Sequence, residues 1–310
     1  MGASCVDLAL IGLTAPPVRG QIVDAENIFS CPGGMANVAV AIHRLGGTAR
    51  LASAIGDDRS GEILRAMLEI EGVEVLPPMR GTRTDVTMCM PWGGERAMVS
   101  FRDATAPRMP DPDSPIWDNV DAVVIDVGCG LDPRIRAVAE RGVALFGDMG
   151  WEQDRFCLDN CLEALPELTA FLPNQAQACA LAETPDVDLA IERLAARAPT
   201  VVVKLGPRGA TAASGGRRTT VEVPRVAAVD STGAGDILDA GFVYGSLLGM
   251  DIDRALRLGC LAAAVSVTRP GSSASAPSLA ELGAFVASLP EEERPEWAAV
   301  IDAVRTAVGD

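Results

Sequence analysis

The stretch Asp230-Ser231-Thr232-Gly233-Ala234-Gly235-Asp236 runs directly into the apolar residues Ile237 to Val243. A loop that becomes a helix here would present unpaired backbone N–H groups and a partial positive charge. Glycine on either side of Ala234 lets bare main chain approach an anion closely. Asp236, at the rim of such a pocket, can take a proton from an incoming hydroxyl. Proton acceptor and charge stabiliser would then sit within one turn. A glycine-rich turn followed by an Asp-capped helix would read similarly, so this string needs company.

Further candidates lie upstream and downstream. Pro32-Gly33-Gly34-Met35-Ala36-Asn37 precedes a helical pattern formed by Val38, Ala41, Ile42 and Leu45, which Gly46 ends. Asn37 offers both a donor and an acceptor to sugar hydroxyls. Asp7 sits within a strand candidate, Val6 to Ile11, where an unpaired carboxylate is costly, so it is either a satisfied structural acid or a ligand group. Asn174 and Gln177 open a helix after a strand, with a helix cap as the simpler reading of Asn174. Lys204 and Gly206 close the apolar run Thr200 to Leu205. The polar run from Ser266 to Ser275 follows another helix, and its carbonyls and hydroxyls would suit a hard cation as well as a plain loop. Asp148 follows a short strand, where a turn-forming role explains it equally well.

Together these stretches resemble the signatures of the ribokinase-like (PfkB) family of sugar and nucleoside kinases. The string at 230–236 is similar to the family's C-terminal Asp-Thr-x-Gly-Ala-Gly-Asp, and Gly33-Gly34, Asn37, Gly46 and Gly56 are similar to its N-terminal signature. Two departures stand out there: two residues instead of three separate Gly34 from Asn37, and Met35 replaces a small or polar residue. The resemblance implies a doubly wound α/β fold, with a mostly parallel sheet flanked by helices and a small β-strand lid. It implies ATP and Mg²⁺ as cofactors, with K⁺ beside them. Asp236 would be the general base, with Gly233, Ala234 and Gly235 as the anion hole. Asp7, Gly33, Gly34 and Asn37 would meet the sugar, and Asn174, Lys204 and Gly206 the nucleotide. Asp230, Thr232, Ser266, Arg269, Gly271 and Ser275 would hold K⁺. Gln177 stands where the family's Asn-x-x-Glu motif has its acid, and only Met1 precedes Gly2 where the family has an apolar strand.

The elements that must position these groups alternate. Strands are expected at Thr48–Ile55, Val73–Leu76, Asp121–Gly128, Val143–Phe146, Thr169–Leu172 and Thr200–Lys204, and helices at Asp58–Ile70, Asp132–Glu140, Ile237–Leu248 and Ile252–Thr268. The continuous apolar runs suit a parallel sheet covered on both faces. Hairpins are expected around Gly93-Gly94 and Gly215-Gly216, and an irregular proline-rich linker over 106–115. The whole of 1–310 reads as one domain, with lid strands at about 20–30 and 83–102. Val86, Met88 and Met90 put apolar groups on one lid face, which suits pairing with a second copy of the chain.

Composition narrows the partners. A net charge of −16 over 310 residues argues against nucleic acid and anionic membranes, though main-chain N–H groups can still bind phosphate locally. Eight scattered cysteines without a Cys-x-x-Cys pair read as thiols in a reducing cytoplasm, with Cys157 and Cys161 close enough on a helix to touch. The one histidine, His43, cannot build a zinc site and is expected on a helix surface. No apolar run is long enough to span a bilayer. Three rivals to a sugar kinase stay open: a nucleoside kinase of the same family, a relative that binds without transferring phosphate, and a Rossmann dehydrogenase, against which the missing Gly-x-Gly-x-x-Gly counts.

Overall fold

Alternation writes the first strand: Val6, Leu8 and Leu10 fall on one face, Asp7 and Ala9 on the other. In the computed structural model, which describes residues 1–92, 95–103, 115–128, 130–150 and 158–309, this strand is β1, Ser4–Ile11. It pairs antiparallel with β2, Asn27–Gly34, and the chain passes directly into helix α1, Met35–Arg44. Next come β3 (Arg50–Leu51), α2 (Arg59–Ile70) and β4 (Glu74–Val75), with β3 and β4 parallel. Strands β5 (Asp85–Trp92) and β6 (Glu95–Phe101) complete a four-stranded sheet in the order β2-β1-β5-β6.

The second sheet holds the α/β alternation. Its members are β7 (Ala122–Asp126), β8 (Ala144–Asp148), β9 (Ala170–Phe171), β10 (Thr200–Lys204), β11 (Ala210–Ser214) and β12 (Arg217–Val221). β7 to β10 run parallel, and β11 and β12 close one edge antiparallel. Between and after them lie α3 (Pro133–Ala139), α4 (Leu158–Ala164), α5 (Gln175–Leu181), α6 (Val187–Ala195), α7 (Ala234–Leu247), α8 (Ile252–Ser266), α9 (Leu279–Ser288) and α10 (Arg294–Val308). Val202 and Val124 face a core shared with α1, α2 and α7–α10, while Val201, Val203, Val123 and Ile125 face one shared with α3–α6. Burial on both faces is why these strands are apolar without alternation. The doubly wound architecture is therefore as expected.

Helix α7 lies deepest. Nine consecutive residues, Ile237 to Gly245, are buried, so apart from Asp239 it is apolar on every side, as an interior helix is expected to be. Phe242 meets Phe146 of β8 edge to face, with ring centroids 6.4 Å apart. On its other side α8 approaches so closely that a Cβ on Gly241 would sit 2.7 Å from the Gly259 Cα.

Several expected boundaries shift. The lid strand expected at 20–30 starts only at Asn27 and continues through Gly34, because Asn27 pairs with Ile11 at the end of β1 and earlier residues have no partner strand. The strand expected at 48–55 shrinks to Arg50–Leu51, with only two paired positions against β4. Met1 and Gly2 take the place between β7 and β3: Asp126 N–H donates to the Met1 carbonyl and Gly2 N–H to the Ala52 carbonyl, both at 3.3 Å, while the Met1 amino group donates to the Val124 carbonyl. Helices α6 and α9 were not among the expected elements, although Asp186 and the Ser278–Glu281 capping box mark their starts. The Gly93-Gly94 turn, residues 106–114 of the linker and Cys157 lie outside the described residues; Cys161 is a buried free thiol. His43 is exposed. Among the described residues, no helix is long and apolar enough to cross a membrane.

The α7–α8 contact gives a direct test. Gly241→Ala should lower stability by about 2–3 kcal/mol, because the methyl group meets backbone that cannot swing aside. Urea unfolding would read this as a lower midpoint at an unchanged slope. An unaltered midpoint would mean the helices are further apart than described.

Candidate active site

Most helices in this chain cap their own first turn. Asp58, Asp132, Asn174, Asp186, Asp251 and Ser278 accept from backbone N–H groups at the starts of α2, α3, α5, α6, α8 and α9. α1 and α7 begin instead on Gly34 and Gly233, and no side chain caps either. Gly233 has φ +74°, a left-handed conformation that glycine adopts without strain. A Cβ there would also lie 2.9 Å from Ser272 Oγ. The first turn of α7 is thus left without a side-chain cap, and of its first N–H groups that of Ala234 reaches only the Ser231 carbonyl, at 3.3 Å.

The two bare helix ends meet. Asn37, third residue of α1, donates from Nδ2 to Oδ2 of Asp236, third residue of α7, at 2.6 Å. Ser272 donates its hydroxyl to Asn37 Oδ1 at 2.7 Å. Arg44 fixes the far side, donating to the Ala274 and Ala276 carbonyls at 3.0 and 2.6 Å while forking onto Glu71. Asp236 is half-buried and so still open to an incoming hydroxyl. Loss of hydration around its carboxyl, reinforced by the Asp148 charge and opposed by the Asn37 bond and Lys204, raises its pKa from the ordinary value to about 7.

Asp7 lies on the same side of β1 as Cys31 on β2, its register partner. The Cys5 thiol donates to Asp7 Oδ1 at 3.1 Å. Burial raises its pKa, against the hydrogen bond from Cys5. Gly33 packs flat against this carboxyl: a Cβ at 33 would fall 2.2 Å from the Asp7 Cγ, so the side-chain space that Gly33 leaves open is taken by Asp7. Gly34 sits as tightly against the Ala3 carbonyl, 2.5 Å from where its Cβ would be.

The residues expected to meet the nucleotide divide. Lys204 turns its ammonium inward, to Asp148 Oδ1 at 3.0 Å and Asp239 Oδ2 at 2.6 Å. Asn174 caps α5 through its Oδ1, and Gln177 closes the capping box with its own Oε1. Gln177 Nε2 then donates to the Met149 and Gly150 carbonyls at 2.8 and 3.2 Å. A glutamate could not donate there, which is the physical reason for the departure at this position. Gly206 is exposed in the turn after β10 and is not among the residues gathered around Asp236.

The two segments expected to hold K⁺ lie side by side. Asp230 N–H donates to the Val267 carbonyl, and Gly271 N–H donates to Asp230 Oδ2 at 3.1 Å. Asp230 Oδ1 accepts from the Thr232 N–H and hydroxyl. No cation pairs with Asp230 among the described residues, so a carboxylate beside this carbonyl-rich turn fits a bound cation. The Arg269 guanidinium is occupied by Glu281 and the Ser275 and Ala276 carbonyls, which leaves its main chain for any such role. Ser275 is buried and its hydroxyl donates to the Ser272 carbonyl, and Ser266 is buried at the end of α8.

Comparison with known proteins decides the family. The sequence profile of the pfkB family carbohydrate kinases matches residues 3–279. The chain belongs to the pfkB family of carbohydrate kinases. As a pfkB carbohydrate kinase it is ATP-dependent. It is 31% identical over 240 residues to an uncharacterised sugar kinase of Archaeoglobus fulgidus, covering 74% of this chain and 96% of that one. Its fold is similar to that of a candidate ribokinase from Agrobacterium tumefaciens, with a TM-score of 0.80, 27% identity and coverage of 92% and 95% of the two chains. It is also similar to a candidate ribokinase II from E. coli solved with ATP and Mg²⁺, with a TM-score of 0.78, 20% identity and coverage of 93% and 98%.

Two residues of this pfkB site escaped sequence reasoning. Ser272 sits in a run of serines with nothing to single it out. Asp239 carried a usable signal, since an acid inside an otherwise apolar helix must find a partner. Gln177 supplies the test: Gln177→Glu, although it recreates the family motif, should lower the thermal midpoint, at a cost of about 1–3 kcal/mol for two carbonyls left facing a carboxylate. A stabilised variant would show that the Gln177 strap is not what holds the turn after β8.

Proposed function

We propose that the chain transfers the γ-phosphoryl group of ATP to a hydroxyl of a sugar or related polyol, with Asp236 as the general base. The observation that carries this reading is the meeting of an uncapped α7 N-terminus with the half-buried Asp236 carboxylate, held by Asn37 at 2.6 Å, and burial pushes its pKa up to about 7. A base is most effective when its proton affinity is matched to the working pH. Asp236 would accept the proton of the acceptor hydroxyl as that oxygen attacks the γ-phosphorus. Main-chain N–H groups of Gly233, Ala234 and Gly235 would hold the charge that develops on the transferred group, and the bond to the ADP oxygen breaks. Asn37 orients the base and, with Asp7 and the turn at Gly33-Gly34, lines the acceptor side. ATP brings the phosphoryl group, and Mg²⁺ arrives with it to neutralise the phosphates. K⁺ would be held by Asp230, Thr232, Ser266, Arg269, Gly271 and Ser275, mostly through carbonyls. Asn174 and Gly206 are the remaining nucleotide contacts.

In this reading residues 1–310 form one domain, and the four-stranded sheet is its lid. The face of that sheet opposite Asp7 leaves Ile28, Met88, Val99 and Phe101 partly exposed, which suits pairing with a second copy of the chain. Free thiols suit the cytoplasm as its setting.

The experiment is an ADP-release screen over neutral sugars, polyols, keto-deoxy acids and nucleosides, with and without K⁺. Turnover of a sugar or polyol supports the reading, turnover of nucleosides alone replaces the acceptor class, and turnover of nothing on the panel favours a binding protein. Asp236→Asn should reduce kcat on the order of a hundredfold or more, with ATP affinity nearly unchanged. Full turnover by that variant would remove Asp236 from the role of base.

A further inference from the structure

One charged group inside the protein has no part in the chemistry so far. Lys204 leaves the end of β10 and buries its side chain to 10% exposure, between Asp148 at the end of β8 and Asp239 on α7. Asp239 lies one turn beyond Asp236, on the same helix face. Carboxylate oxygens of Asp148, Asp236 and Asp239 all lie within 4.8 Å of one another. Three acids so placed could hold a metal ion, but the cation the fold supplies to them is an ammonium. Asp239 is fully buried, and its Oδ1 has no hydrogen-bond partner. Lys204 is the only cation paired with it among the described residues.

We propose that Lys204 is a positioning residue, whose ammonium provides the counter-charge that keeps Asp236 ionised and so able to act as a base, and whose ion pairs tie the second turn of α7 to the end of β8 beneath the phosphoryl site. This rests on the reading of Asp236 as the base and departs from the expectation that Lys204 touches the nucleotide. The groups facing Asp236 come from five elements: Asp239 from its own helix, Asp148 from β8, Asp7 from β1, Lys204 from β10 and the neutral Asn37 from α1. The three acids favour a protonated Asp236. Lys204 and the Asn37 N–H bond oppose them. A Cβ on Gly235 would stand 3.7 Å from Lys204 Nζ, which puts the ammonium directly behind the main chain of the cradle.

Lys204→Met leaves Asp148 and Asp239 uncompensated, so Asp236 should keep its proton to higher pH. Asp239→Asn removes a negative charge and frees the ammonium from one partner, so Asp236 should lose its proton at lower pH. A general loosening of the fold would not move the two variants in opposite directions.

The test is a carboxyl ¹³C NMR titration of the ligand-free protein, with the Asp236 signal identified by its loss in Asp236→Asn. Its midpoint should rise by about one pH unit or more in Lys204→Met, fall by a similar amount in Asp239→Asn, and stay near wild type in Lys204→Arg. Should Lys204→Met fail to fold, the nearly isosteric Asp239→Asn carries the test. A midpoint that stays in place in Asp239→Asn, or moves upward there, overturns the proposal. The kcat of Asp236→Asn, measured with whichever of D-ribose, D-fructose and myo-inositol is turned over, separates the two claims. Retained turnover removes the base and the proposal that rests on it, whereas lost turnover with unmoved titrations removes only the role of Lys204.

Discussion

A single hydrogen bond, from Asn37 to Asp236, joins two helix N-termini that lie 199 positions apart in the chain. The cradle proposed for the site requires α7 to present main chain without a side-chain cap there, and such a start offers little local means of staying put. Elsewhere in the molecule a side-chain cap holds a first turn in place at a gain of about 1 kcal/mol. α7 gives up that device and is held by packing instead. Its nine buried residues, its edge-to-face contact with Phe146 and its close approach to Gly259 fix it as a rigid body. Precision at the start of α7, where the anion pocket is proposed, is thus inherited from the core rather than created at the surface.

Charge is handled in the same way. The interior beneath the pocket carries more acid than base: Asp148, Asp236 and Asp239 share one ammonium, with Asp7 beyond them. Burying an unpaired carboxylate in such surroundings is costly, and the usual escape is to take up a proton. Burial raises the pKa of Asp239 as well, against its ion pair with Lys204, and Asp236 is the half-buried member of the set, open to exchange with something outside. In the proposed mechanism this imbalance is what poises it.

Much of this was legible in the sequence. The glycines around Ala234, the acid after them and the apolar run beyond specify an interior helix with an open start, and the structure has that helix. Its first turn begins three residues earlier than hydrophobic periodicity indicates, because Ala234, Gly235 and Asp236 carry no apolar signal. The sheet strands were visible because burial on both faces leaves no room for polar residues. Pairing partners were less so. That β2 runs to Gly34 depends on register with β1, and that Gly33 accommodates a carboxyl depends on a contact across strands. Lys204 shows the same limit: its position in the chain suggests the nucleotide, while its direction is set by two acids 56 and 35 positions away. Gln177 reads as a lost charge until the two carbonyls it serves are in view.

The Arg44 clamp has a consequence for synthesis. Its guanidinium holds Glu71 nearby, but also the carbonyls of Ala274 and Ala276, and Ser273 donates to the Pro32 carbonyl. A chain emerging from the ribosome would complete β1, β2, α1 and α2 long before these partners exist. The polar ends at Asn37 and Arg44 must wait, solvated, while some two hundred further residues are made, so the pocket closes as a late event in biogenesis.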